Sequence, residues 1–105
     1  MNILFICSRN EWRSRTAESI FSEGDEHVVK SAGTAKSARV KVNERMLLWA
    51  DIVFCMEDKH KEILKKRFQV VCRDQRLVVL HIDDEYKYMD PALIEELLDC
   101  TAAYF

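Results

Sequence analysis

Glycine and proline are nearly missing: two and one, respectively, in 105 residues. That scarcity excludes a flexible linker, a collagen-like segment and a low-complexity tail, and a chain of this length suits one compact domain, residues 1–105. A charge excess is missing too. The formal net charge is −2, so no global basic field calls for nucleic acid as a partner. No hydrophobic run approaches membrane-spanning length, which argues against a membrane partner. The apolar start is too short for a signal-peptide core and lacks a basic lead. No internal repeat occurs at solenoid periods. The cysteines at 7, 55, 72 and 100 contain no CxxC pair, and their spacing fits no common zinc motif. They read as free thiols in a reducing compartment, so a cytoplasmic protein without metal or other cofactor is expected. The oligomeric state is not legible.

What is present is 49% apolar residues, enough for one core, arranged in alternating patterns. "NILFI" (2–6) is a short apolar run rich in β-formers and reads as a buried strand. "RSRTAESIFSE" follows with Ala17, Ile20 and Phe21 at helical spacing, broken at Gly24 and Asp25. "HVVKSAG" (27–33) reads as a second strand, and "VKVNERMLLWA" (40–50) as a helix burying Val42, Met46, Trp49 and Ala50. "DIVFCM" (51–56) is a third strand, "EDKHKEILKKRF" (57–68) a charged helix burying Ile63, Leu64 and Phe68, and "RLVVLHI" (76–82) a fourth strand. Asp90 and Pro91 then form a helix N-cap and first position, followed by an apolar stripe of Leu93, Ile94, Leu97, Leu98, Thr101, Ala102 and Phe105. Strands apolar on both faces and alternating with helices predict an α/β fold: three layers, a four-stranded parallel sheet flanked by helices. Ligands bind beyond the carboxyl ends of such strands. That rule singles out Cys7–Arg13, Gly33–Ser37, Met56–Asp58 and Asp83–Tyr88.

The first of these segments carries the most specific signal. Cys7 ends a strand, and a helix begins near Arg13. A thiol reacts as thiolate, a form favoured at helix N-termini and beside cations. The loop between can curl its N–H groups inward as an anion nest, and Arg13 can offer a planar fork to two phosphate oxygens. A nucleophile under an oxyanion cradle is what phosphoryl transfer requires. Ser14 can donate a hydrogen bond to the thiolate. The plainer reading is that Cys7 is a small buried hydrophobe; the strand before it and the helix after it favour the anion site.

"ILFICSRNEWRSRTAESIF" resembles the opening of the low-molecular-weight protein tyrosine phosphatases: strand, Cys-x5-Arg-Ser, then a helix with an Ala-Glu pair. "SAGT" (31–34), "ADIVFCMEDKHKEIL" (50–64) and "HIDDEY" (81–86) match later family segments in order. The resemblance implies a four-stranded parallel sheet with the phosphate loop after the first strand, and hydrolysis through a cysteinyl-phosphate intermediate. Carried over, Cys7 is the nucleophile, and Arg13 and the amides of Ser8, Arg9, Asn10, Glu11 and Trp12 bind the phosphoryl group. Asn10 and Ser14 support the loop. Asp84, two residues before Tyr86, is the general acid and then the base for water; Asp83 and Asp90 compete for that role. The substrate would be a phosphorylated protein or small aryl phosphate. Arg9 stands where the family usually has Gly, Glu11 adds an anion at the mouth, and Trp12 replaces a second cysteine and can wall the mouth. Glu85 replaces a proline. The chain is shorter than typical members, chiefly between "SAGT" and "ADIVF".

Several residues carry a plainer reading beside a functional one. Tyr86 and Tyr88 either flank an aromatic substrate or cap the core. Trp49 reads as core. His60 and His81 have no metal-like spacing and read as surface or packing residues. Lys59, Lys61, Lys65, Lys66 and Arg67 make a solvated basic face. Cys55 could serve as the resolving thiol of an arsenate reductase, but no cysteine occurs in residues 56–71 to follow it. Three functions therefore compete: a cysteine-dependent phosphatase, an anion-binding module of the same fold with little turnover, and arsenate reduction.

Overall fold

A computed structural model describes residues 1–105. Four parallel strands, β1 (Asn2–Cys7), β2 (Val28–Gly33), β3 (Ile52–Cys55) and β4 (Leu77–Val79), form one sheet in the order β2-β1-β3-β4. The helices between them are α1 (Arg13–Phe21), α2 (Glu44–Trp49), α3 (Asp58–Arg67), α4 (Gln69–Arg73) and α5 (Pro91–Thr101). The expected α/β architecture is what the chain adopts. Because β2 and β3 lie on opposite sides of β1, the strand order reverses there, and the carboxyl end of β1 is the crevice where such sheets take ligands. Cys7 is the last residue of that strand, paired in register with Gly33 of β2.

Alternation along the central strands divides the core in two. Ile3, Phe5, Ile52 and Phe54 face α1 and α5, joined by Ala17, Leu93 and Leu97. Leu4, Ile6, Val53 and Cys55 face the opposite layer with Leu47, Leu64 and Cys72. Phe5 and Phe54 stack with ring centroids 5.2 Å apart. Each is fully buried, which stabilises the fold by roughly 1.5–3 kcal/mol per ring. No helix is long and apolar enough to cross a membrane.

Local chemistry shifts several expected boundaries. The helix expected over 40–50 begins only at Glu44, because the Asn43 side chain accepts the Met46 N–H and caps it there. Its fully buried residue is Leu47, while Met46 and Trp49 are half-buried. The helix over 57–68 buries His60 and Leu64; Ile63 and Phe68 are only half-buried. A short extra helix, α4, follows it. The fourth strand keeps three paired residues. Asp90 does cap α5, accepting the Ala92 N–H at 2.9 Å ahead of Pro91. In the stripe of α5, Leu98 and Ala102 turn outward.

Candidate active site

The segment after β1 wraps into a loop because its carbonyl groups are occupied on the outside. Thr34 N–H donates to the Cys7 carbonyl, Ala35 N–H to Ser8, Arg39 N–H to Arg9 and the Arg39 Nε–H to Asn10, all at 2.9–3.0 Å. With the carbonyls turned out, the amides turn in. The N–H groups of Ser8, Arg9, Glu11, Trp12 and Arg13 have no acceptor within the protein, and that of Asn10 points at Cys7 Sγ at 3.2 Å. This is the backbone nest that favours an anion. The sharp bend falls at Asn10, whose φ is 59°, a left-handed conformation that Asn tolerates better than most residues. Arg9 has ordinary negative φ, so glycine is not required there. Gly33 is required for another reason: a Cβ on it would collide with the Ser8 carbonyl oxygen and stand 2.8 Å from the Ala38 Cβ.

Beneath the nest a buried hydrogen-bond network leads to the sulfur. Asn10 Nδ2 donates to Ser14 Oγ at 2.7 Å and to Ser31 Oγ at 2.8 Å, using both its hydrogens, while its Oδ1 has no partner. Ser31 in turn donates to Glu18. Ser14 Oγ accepts from Asn10, so its own hydrogen is left for Cys7 Sγ at 2.9 Å or for the Ala32 carbonyl at 3.5 Å. A thiolate at Cys7 has no hydrogen to give, so it accepts from both Ser14 Oγ and the Asn10 N–H, the pattern that stabilises negative charge there. Asn10 and Ser14 are wholly buried; they stand behind the cavity as loop supports and do not line it.

Arg13 closes the ring. It is 2% exposed, and Nη1 is clamped by Glu57 Oε2 and the Ile82 carbonyl, each at 2.9 Å. That clamp leaves the Nε edge and Nη2 for an anion. Asp84 Oδ1 lies 3.7 Å from Nε. Burial alone would raise the Glu57 carboxyl, but the hydrogen bond and charge of Arg13, joined by Lys59, hold it below the ordinary carboxylate range. The resulting cavity, about 370 Å3, is lined by Cys7, Ser8, Arg9, Glu11, Trp12, Arg13 and Asp84. Among the three aspartates, only Asp84 faces it. Asp83 borders a separate surface hollow beside Asp58 and His81, and Asp90 is the helix cap.

Tyr86 is a correction. It does not line the cavity: its hydroxyl donates to Glu96 on α5 at 2.7 Å, and its ring packs on the core. That hydrogen bond, followed by burial, pushes its pKa up to about 12. Tyr88 is likewise engaged elsewhere, with Arg15 over its ring at 4.3 Å and Ser19 on its hydroxyl.

His60 takes the packing alternative of the two that its sequence allowed, and its polar contacts add to it. It is fully buried, accepting the Glu57 N–H on Nδ1 at 3.1 Å and meeting Ser8 Oγ with Nε2 at 2.9 Å. The usable signal was its spacing, since His60 and Leu64 stand four residues apart on the inward face of α3. Cys55 lies fully buried inside β3, and burial pushes its thiol up to about 12. It is outside the cavity, so the arsenate reading loses its resolving thiol.

No family model matches the chain, and no curated protein does. Solved structures do match. The tyrosine phosphatase Wzb from Escherichia coli K30, solved with phosphate, superposes with a TM-score of 0.76 at 19% identity, covering 98% of this chain and 94% of that one. A low-molecular-weight protein tyrosine phosphatase from Bacillus subtilis gives 0.72 at 21% identity, with 99% of each chain covered. The chain has the low-molecular-weight protein tyrosine phosphatase fold. The YwlE arginine phosphatase from Geobacillus stearothermophilus shares it, with a TM-score of 0.71 at 20% identity over 97% of this chain and 90% of that one. Within this fold, Cys7, the nest and Arg13 stand together at the carboxyl edge of the sheet.

Proposed function

We propose that residues 1–105 form one domain that acts as a cysteine-dependent phosphatase. The observation that carries this reading is the cavity itself: Cys7 Sγ at its base, uncommitted amides around it, and the Nε edge of Arg13 with Asp84 beside it. Sγ attacks phosphorus in line and a sulfur–phosphorus bond forms. The bond to the leaving oxygen breaks as Asp84, in its acid form, hands that oxygen a proton. Asp84, now a carboxylate, takes a proton from water, whose oxygen attacks phosphorus. The sulfur–phosphorus bond then breaks and returns the thiolate. The amides and Arg13 hold the three equatorial oxygens throughout, so most of the catalysis is positioning and charge stabilisation.

The substrate proposed is phosphotyrosine or another aryl phosphate, with the exposed Trp12 as the aromatic wall of the mouth. A phosphoarginine substrate is the second reading. Glu11 at the rim offers a carboxylate to a guanidinium, and the fold is shared with an arginine phosphatase. Hydrolysis of p-nitrophenyl phosphate, phosphotyrosine peptide and phosphoarginine by wild type and Cys7→Ser tests both. Turnover by wild type that falls at least about 10^4-fold in Cys7→Ser is expected. Tight phosphate binding with no turnover of any substrate would replace the phosphatase by an anion-binding module.

A further inference from the structure

The phosphate loop is also gripped from outside its own sequence. Two residues of one helical turn, Glu57 just before α3 and His60 within it, reach its two ends: Glu57 holds Arg13 and His60 holds Ser8. The hydrogen count at His60 leaves a single arrangement. Nδ1 faces a backbone N–H and must accept, so the neutral ring carries its hydrogen on Nε2 and donates it to Ser8 Oγ. The ring stays neutral over the ordinary range, since burial and then the Arg13 charge push its pKa down to about 4. Ser8 Oγ makes no other hydrogen bond in the protein, and Ser8 lines the cavity above Cys7. Its own hydrogen therefore has no acceptor other than what occupies that cavity.

We propose that Ser8 is an anion-binding residue whose hydroxyl donates to the phosphoryl group, and that His60 is the positioning residue that fixes that hydroxyl as a donor. The assignment rests on the cavity being the phosphate site of the proposed phosphatase. A hydroxyl free to rotate would spend part of its time offering lone pairs to the anion; accepting from His60 removes that option. The role is specific to this pair, because a backbone nest alone needs no side chain at position 8.

Titration calorimetry with inorganic phosphate tests it on wild type, Ser8→Ala, His60→Leu, the double variant and His60→Gln, each checked for folding by thermal melting. Each of Ser8→Ala and His60→Leu is expected to weaken phosphate binding about tenfold, the size of one hydrogen bond to a charged group. The double variant is expected to be no weaker than the worse single variant by more than about twofold, because the two act through one hydrogen bond. His60→Gln, whose amide can still donate to Ser8, is expected to bind within about threefold of wild type. Additive losses in the double variant, or unchanged affinity in Ser8→Ala, overturn the assignment. Should His60→Leu not fold, Ser8→Ala decides alone. Phosphate binding by wild type without turnover overturns the phosphatase reading only, with the titrations still deciding on Ser8 and His60; no phosphate binding by wild type overturns both.

Discussion

The two walls of the cavity are built differently. The loop from Cys7 to Ser14 is tied on every side: four of its carbonyls are bonded by the 34–39 segment, and Asn10, Arg13 and Ser14 are buried at 2% exposure or less. The other wall is Asp84 alone, carried on a segment, 83–90, that is held at scattered points: Tyr86 on Glu96, Tyr88 on Ser19 and the Met89 N–H on Thr16. Its Asp84 carboxylate remains 54% exposed. The difference separates two jobs. Recognition of a fixed tetrahedral anion calls for a preorganised cradle, whereas a proton donor must meet a leaving group that changes from substrate to substrate.

The sharpest way to break that comparison is to damage one wall at a time. Asp84→Asn is expected to lower kcat by roughly 100- to 1000-fold while phosphate affinity stays within about twofold. Arg13→Lys is expected to weaken phosphate binding at least about tenfold, because a point charge cannot reproduce the fork and Glu57 loses its bonded partner. Steady-state kinetics and calorimetry on both variants read this out. Equal losses of affinity would mean that the walls do not divide the work.

A pH titration of stability sharpens the same contrast, because the buried His60 of α3 is bonded to the rigid wall through Ser8. The folded pKa of His60, about 4, lies below its unfolded value of 6.5. Between these values the unfolded chain binds more protons, so stability rises with pH there and is lost as pH falls from about 6.5 to about 4. The charges around the ring are Arg13, Glu57, Lys59 and Asp84. The full effect is on the order of 3 kcal/mol. Glu57, also held below its ordinary value, adds a loss of the same sign at the acid end. Chemical denaturation from pH 7 to pH 4 measures the sum, and His60→Gln is expected to flatten the upper part of the curve.

The smallest effect concerns the seam between β2 and the loop. Gly33→Ala is expected to cost about 1–3 kcal/mol through overpacking against the Ser8 carbonyl, with phosphate affinity falling in step. A substitution at exposed Leu48 is the control, expected within about 0.5 kcal/mol of wild type by thermal melting.

Legibility in the sequence followed the range of the interactions. The strand ending at Cys7, the helix starting at Arg13 and the Asp90–Pro91 cap are local patterns, and each stands where the sequence puts it. Asp84, named two residues before Tyr86, lines the cavity. The partners that act across the fold were not legible. Ser8 and His60 are 52 residues apart and Arg13 and Glu57 are 44 apart; helical spacing can turn His60 inward but names no partner for it. Tyr86 failed for a related reason: its hydroxyl could bond outward to substrate or inward to α5, and only the position of Glu96 decides.

The most direct test of the central claim is to trap the intermediate. Wild-type protein is mixed with excess p-nitrophenyl phosphate, quenched in acid within one turnover, digested and read by mass spectrometry. The account predicts a burst of p-nitrophenol matching the protein concentration and a phosphoryl group on the peptide carrying Cys7. Turnover with Cys7 left unmodified, or a phosphoryl group on any other residue, would contradict it.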